Sequence, residues 1–114
     1  GGSFENRFRL LKNGIRAAKV YEDDTVYAFR DINPMAPVHI LIVPKAHLAS
    51  AADITADNAA LVAHIFAVIP QIAAAEGLTN GFRVVTNSGA DACQSVPHLH
   101  FHLLGGAKMA DRMA

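Results

Sequence analysis

Three histidines in strict alternation, His98, His100 and His102, are the residues of this chain best suited by type and spacing to do chemistry. In an extended strand, side chains two apart project to the same face. The three imidazoles would then line one surface roughly 6 to 7 Å apart, with Leu99, Phe101 and Leu103 on the other. Packing alone is a poor reason for such a row, because each imidazole adds polar atoms that need partners once buried. Two chemistries remain. Neutral imidazoles on a strand can share the coordination sphere of a metal. Alternatively, the central histidine is a nucleophile whose neighbours orient it and handle protons, work that suits a group titrating near neutrality. The preceding loop, Asn87-Ser88-Gly89-Ala90-Asp91-Ala92-Cys93-Gln94-Ser95, favours the second: it offers amides, hydroxyl and main-chain N–H groups to an anionic oxygen and few hard metal ligands.

The elements that must hold these residues follow from pattern. Residues 18–21 and 25–29 flank the acidic turn Glu22-Asp23-Asp24 and read as a hairpin. Asn33-Pro34 and Ala36-Pro37 punctuate a loop. Val38 to Val43 is a nearly continuous apolar run closed by Pro44, the mark of a central strand buried on both faces, with His39 its polar exception. From Asp53 or Thr55 as N-cap, a helix is expected with Leu61, Ile65, Ile69 and Ile72 on one stripe, Val62, Phe66 and Ala73 beside it, and a stop at Gly77. Pro70 in its interior removes a backbone donor. So wide an apolar face exceeds what one sheet covers, which points to a second subunit. Phe82 to Asn87 resumes strand character, and His98 to Leu104 forms the last strand.

With 114 residues, the chain has room for one domain, and at 52% hydrophobic it is rich enough to pack a core. Ten basic and ten acidic residues cancel, so no global field favours nucleic acid or an anionic membrane. Residues 1–19 carry five positive charges against Glu5, read as a solvated face rather than a nucleic-acid arm. Gly1-Gly2-Ser3 is set aside as a cloning remnant. The longest apolar stretch, Ala59 to Ala75, is interrupted by His64, Pro70 and Gln71 and falls short of a membrane span. A lone cysteine, Cys93, forms no internal disulfide and no Cys-pair zinc site; with no signal peptide evident, a reducing, cytoplasmic setting is expected.

The run Gln94-Ser95-Val96-Pro97-His98-Leu99-His100-Phe101-His102-Leu103-Leu104-Gly105-Gly106 resembles the signature of the histidine triad (HIT) family, and its Gly-Gly ending resembles the Hint branch. Tyr21-Glu22-Asp23-Asp24, the stretch from Phe29 to His39, and Val43-Pro44-Lys45-Ala46-His47 agree with it, so that the resemblance covers roughly residues 18–106. It implies hydrolysis or transfer at the α-phosphorus of a nucleotide through a covalent nucleotidyl-histidine. On this chain, His100 would be the nucleophile. His98 would hold it in the reactive tautomer with His39 behind, and His102 and Ser95 would face the phosphate and leaving group. Asn87, Ser95 and the main chain of Cys93 and Gln94 would bind phosphate oxygens, Asp31 the ribose hydroxyls, and Ile32 and Phe29 the base. For Asp31 a plain turn cap before Asn33-Pro34 is the alternative.

The expected fold is α+β: about five mainly antiparallel strands, one long helix and a short N-terminal helix; the resemblance further implies a homodimer in which two sheets join. The expected activity is metal-independent hydrolysis of a purine nucleoside phosphoramidate, such as adenosine 5′-phosphoramidate, to AMP. Dinucleoside polyphosphate cleavage and a nucleotide-binding interaction module with weak catalysis are the alternatives. Three departures from the family pattern bear on this. Cys93 stands where Gly or Ala usually precedes Gln-Ser, and Ala107 to Ala114 stands in place of a Trp-Pro-Pro-Gly end that completes the partner's site. Residues 4–9 replace the Cys-x-x-Cys of zinc-containing relatives, so no zinc or other cofactor is expected, and His47 and His64 read as structural or exposed.

Overall fold

The computed structural model describes residues 18–113. The expected short N-terminal helix lies outside them. Within them five antiparallel strands make one sheet: β1 (Lys19–Glu22), β2 (Val26–Arg30), β3 (Val38–Pro44), β4 (Phe82–Val85) and β5 (Phe101–Gly105), in the order β1-β2-β3-β5-β4. A single α-helix, α1 (Ala59–Ala75), lies between β3 and β4 in the chain, and short 3-10 turns occupy Ala51–Asp53 and Ala90–Ala92. The α+β fold with a five-stranded sheet and one long helix is the one expected from the sequence.

The helix starts later than expected. The Asp53 carboxylate turns back to accept the Ala49 N–H (3.2 Å), and the Thr55 hydroxyl accepts from Asp57 N–H (3.2 Å) in a local turn. Asn58 takes the cap position, its side chain accepting from Thr55 N–H (2.8 Å) and donating to the Asp53 carbonyl (3.0 Å). Small polar side chains that bond the adjacent backbone compete with helix in this way. The stop is as expected: Gly77 at φ +73 donates to the Ala74 carbonyl (3.1 Å) and Leu78 to that of Ala73 (2.9 Å), the paired bonds of a Schellman motif. Leu78 then occupies the space that Gly105, lacking a Cβ, leaves open; a Cβ there would sit 2.9 Å from its methyls.

The two faces of the sheet differ. Ile65, Val68, Ile69, Ile72 and Ala73 of α1 pack on Val26, Ala28, Ile40, Ile42, Leu99, Phe101 and Leu103, removing their apolar area from water. On the opposite face, Tyr27, Phe29, Leu41 and Val43 form a smaller cluster with Val96 against it. Because β3 is long and central, its alternation feeds both: Ile40 and Ile42 toward the helix, His39, Leu41 and Val43 away from it. Phe66 does not join the buried stripe. It is 48% exposed and meets Phe101 edge-on with ring centroids 5.5 Å apart. Among the described residues no helix is long and apolar enough to cross a membrane.

Two polar ties fasten the helix to the sheet. Arg30 meets Glu76 with both guanidinium arms (2.7 and 2.9 Å), anchoring the strand end that runs into Asp31. At the β1–β2 turn, Asp23 Oδ1 accepts from Thr25 N–H (2.9 Å), Val26 N–H (2.8 Å) and the Thr25 hydroxyl (3.2 Å). Its Oδ2 takes the Tyr21 hydroxyl and His64 Nε2, each at 2.7 Å. Burial alone would raise the Asp23 pKa, but the bonds from Tyr21, His64, Thr25 and Val26 outweigh it and hold the carboxyl well below the usual carboxylate range. A group with a depressed folded pKa contributes stability above its unfolded value, about 3.9, and loses it as pH falls toward the folded one. Resistance to thermal unfolding is therefore expected to weaken below about pH 4, and Asp23→Ala to cost ~2–3 kcal/mol at pH 7 and to flatten that acid limb. An unchanged acid limb in the variant would place the effect elsewhere.

Candidate active site

His39 and His102 stand on the sheet face away from α1. His102 lies in β5 opposite Leu41, and His39, opposite Leu104, is its diagonal neighbour across the β3–β5 ladder. His39 Nε2 and His102 Nδ1 are 2.9 Å apart. Behind them Asp31 Oδ2 is 3.5 Å from His39 Nε2, while Oδ1 accepts the Asn33 N–H (2.9 Å). The turn-cap role is thus present, and the same carboxylate also faces the histidines. These three are the one group among the described residues whose His, Cys, Asp or Glu donor atoms come within metal-ligand spacing, all lying within 4.8 Å of one another.

β5 begins at Phe101, not at His98, and the three triad histidines do not form one row. His100 and His102 are adjacent, ring centroids 5.2 Å apart and nearly perpendicular. His98 is fully buried: its Nε2 donates to the Pro44 carbonyl (2.8 Å) and its Nδ1 lies 3.4 Å from His47 Nδ1. His39 therefore stands behind His102, correcting the expectation that it backs His98. What reaches His100 from His98 is the main chain, whose carbonyl accepts from His100 Nδ1 at 2.7 Å. His47, read from the sequence as structural or exposed, packs against buried His98, a partner 51 residues away that nothing in its spacing shows.

The loop before the triad is clasped by one side chain. Gln94 Nε2 donates to the carbonyls of Ala49 (2.7 Å) and Val96 (2.9 Å), and its Oε1 accepts the Gly89 N–H (2.9 Å). The N–H groups of Cys93 and Gln94, expected to face phosphate, donate instead to Ala90 (3.0 Å) and Gly89 (3.1 Å) inside the loop. Ser95 is exposed, and neither its hydroxyl nor the Asn87 side chain has a hydrogen bond among the described residues. Thr86, next to Asn87, donates its hydroxyl to the His100 carbonyl (2.7 Å), which ties the end of β4 to the triad. Ile32 is 47% exposed, whereas Phe29 is wholly buried in the second apolar cluster and serves as floor rather than wall.

Burial disfavours the charged form of both inner histidines. Burial lowers the His39 pKa against the opposing pull of Asp31. His102 is pushed down to about 4, by burial first and then by the neighbouring His100 and His39.

Cys93 has its own backbone reason for standing out. At φ 60, ψ 36 it is the one non-glycine residue at positive φ among those described, and its thiol is exposed. A side chain costs roughly 1–2 kcal/mol there, more than the entropy glycine loses, so Cys93→Gly is expected to stabilise by up to about 1 kcal/mol. Cys93→Val should cost about as much, because a β-branched side chain is poorly suited to positive φ. Urea titration of the pair checks the sign: a destabilised glycine variant would mean that the thiol makes a contact worth more than the strain.

Comparison with known proteins agrees with this architecture. The HIT domain model matches residues 12–109. An uncharacterised HIT-like protein of Synechococcus elongatus is 48% identical over 102 residues, 90% of either chain. Among solved structures, a HIT family hydrolase from Clostridium thermocellum superposes with a TM-score of 0.85 at 40% identity, covering 93% of both chains. A histidine triad protein from Clostridium difficile reaches 0.84 at 48% identity, covering 92% of this chain and 93% of its own. With its histidines on β3 and around β5 and a family match running almost end to end, this chain belongs to the HIT family.

Proposed function

We propose that the chain is a nucleotide hydrolase acting at the α-phosphorus of a purine nucleoside phosphoramidate through a nucleotidyl-His100 intermediate. The observation that carries the reading is the 2.7 Å bond from His100 Nδ1 to the His98 carbonyl. A carbonyl only accepts, so Nδ1 holds the proton and the lone pair is on Nε2, ready to attack. As the P–Nε2 bond forms, the P–N bond to the leaving amine breaks, and the amine takes a proton from solvent by way of the Ser95 hydroxyl. The imidazolium that results keeps its Nδ1–H on the same carbonyl. Water then attacks phosphorus and releases a proton to solvent, the P–Nε2 bond breaks with its electron pair returning to Nε2, and AMP leaves with neutral His100 restored.

Asn87, Ser95 and His102 are the groups assigned to the phosphate oxygens, Asp31 to the ribose hydroxyls and Ile32 to the base, with Phe29 beneath. Two carboxylate oxygens have about four acceptor positions between them, so Asp31 can cap its turn and still receive hydroxyls. The C. thermocellum neighbour's description as a hydrolase supports the reaction class. A second copy of the chain completes the proposal: Ala60, Ala63, Phe66, Ala67, Pro70 and Ala74 leave an apolar stripe of α1 in water, and β4 ends the sheet with an open edge. Sedimentation is expected to find a dimer that Phe66→Glu weakens.

The test is AMP release from adenosine 5′-phosphoramidate in the presence of EDTA. Chelator-resistant release is expected. AMP binding without release would move the reading to a nucleotide-binding module, and release from dinucleoside polyphosphates alone would move it to that substrate class.

A further inference from the structure

The side chain of Met35 points into water, but its backbone does not. Met35 is 81% exposed, and its N–H donates to His39 Nδ1 at 3.0 Å. That contact has consequences two rings away. Since Nδ1 of His39 is an acceptor, the ring's proton is on Nε2, and this N–H faces His102 Nδ1 at 2.9 Å with Asp31 Oδ2 at 3.5 Å. His102 Nδ1 must then be an acceptor, which places the His102 proton on Nε2.

We propose that the Met35 main-chain N–H is a positioning group that fixes the tautomers of His39 and His102 in series, so that His102 meets the phosphoryl group as a neutral Nε2–H donor. The clause concerning phosphate rests on the function proposed above; the tautomer series does not. Next to His100, whose Nε2 carries a lone pair, the chain thereby sets one acceptor and one donor side by side with opposite roles. A second proton on His39 would set its Nδ1–H against the Met35 N–H, and one on His102 would face the His39 N–H. The charged groups around the pair are Asp31 from the loop after β2, together with the titratable His100 before β5. Both rings are thus kept from serving as charged acids, and His102 acts by a fixed hydrogen bond.

The same proton order argues against reading Asp31, His39 and His102 as a metal centre. A metal-bound imidazole presents the N–H of its other nitrogen to an acceptor. At His39 that nitrogen, Nδ1, already receives the Met35 N–H.

The decisive experiment is long-range proton–nitrogen correlation NMR on the substrate-free protein labelled with nitrogen-15 histidine. Expected are Nε2–H tautomers for His39 and His102 and Nδ1–H for His100. An Nδ1–H His39 overturns the proposal. Met35→Pro removes the N–H and is expected to bring His39 and His102 into tautomer exchange and to lower kcat roughly fivefold, the shift that one lost hydrogen bond gives, with KM nearly unchanged. Met35→Ala, which keeps the N–H, should retain the wild-type tautomers. Unmoved nitrogen shifts in a folded Met35→Pro overturn the proposal; if that variant fails to fold, the wild-type spectrum decides. These spectra are read without substrate, so their outcome is independent of whether the phosphoramidate reading survives.

Discussion

His100→Ala is expected to lower AMP release from adenosine 5′-phosphoramidate by roughly four to six orders of magnitude, the range seen when a covalent nucleophile is deleted, and to leave the protein folded. The loss is large because no neighbour can substitute. His102 lies next to His100, but its Nδ1 faces His39 and its neutral form is held in place by burial. His98 is enclosed, with Nε2 on the Pro44 carbonyl. The cost to stability is modest: the variant gives up the bond to the His98 carbonyl, about 1 kcal/mol. AMP affinity should persist, since Asn87, Ser95 and Asp31 remain. The measurement is steady-state AMP release beside AMP binding by calorimetry, with labelled substrate quenched in alkaline denaturant, where a P–N adduct survives, to trap the histidine intermediate in wild type. Residual turnover above about 1% of wild type would exclude His100 as the sole nucleophile.

Gln94→Ala is expected to cost about a hundredfold in kcat/KM, although none of the hydrogen bonds of its side chain goes to a histidine. The mechanism is displacement. Three bonds from one amide hold the Gly89–Val96 loop to itself and to Ala49, and Ser95 rides on that loop. A shift of about 1 Å in a group that aligns a reacting phosphate is enough for such a loss. Alanine also strands the Ala49 and Val96 carbonyls and the Gly89 N–H, at roughly 2 kcal/mol. Gln94→Glu should be worse than alanine despite its similar shape. It keeps the acceptor for Gly89 but turns a carboxylate oxygen, with lone pairs and no hydrogen, on two carbonyls. Kinetics and urea unfolding of both variants check the order; glutamate equal to wild type would mean that the amide donors do not hold the loop.

The local parts of this molecule were readable from its sequence. A continuous apolar run closed by Pro44 suffices for β3, a period-two pattern for the placing of Leu99, Phe101 and Leu103 in the core, and a glycine after an apolar helical stripe for the stop at Gly77. What could not be read was the choice among competing partners. Asp53 and Thr55 have the chemistry of helix caps, yet each found a nearer backbone group. Cys93 looked like a departure because of its side chain, whereas its φ is what sets it apart. The alternation of His98, His100 and His102 is real in the chain and incomplete in space. A turn before Phe101 sends the first ring to Pro44 and His47, and the ring that supports His102 comes from position 39. Hydrogen bonds that span 51 to 63 residues leave no periodic trace.

β3 sends Ile40 and Ile42 to one side of the sheet and His39 to the other. This bears on how such a chain can be altered at the bench or over generations. Substitutions that repack Ile65, Val68, Ile69 or Ile72 should alter the resistance to heat, while exchanges at Ile32 or Ser95, the residues proposed to meet base and phosphate, should alter which molecule is accepted without opening the helical core. A library that randomises one side can be selected while the other acts as an unchanged reference. Gains found separately should then combine with little interference, as expected for sites that share no partners.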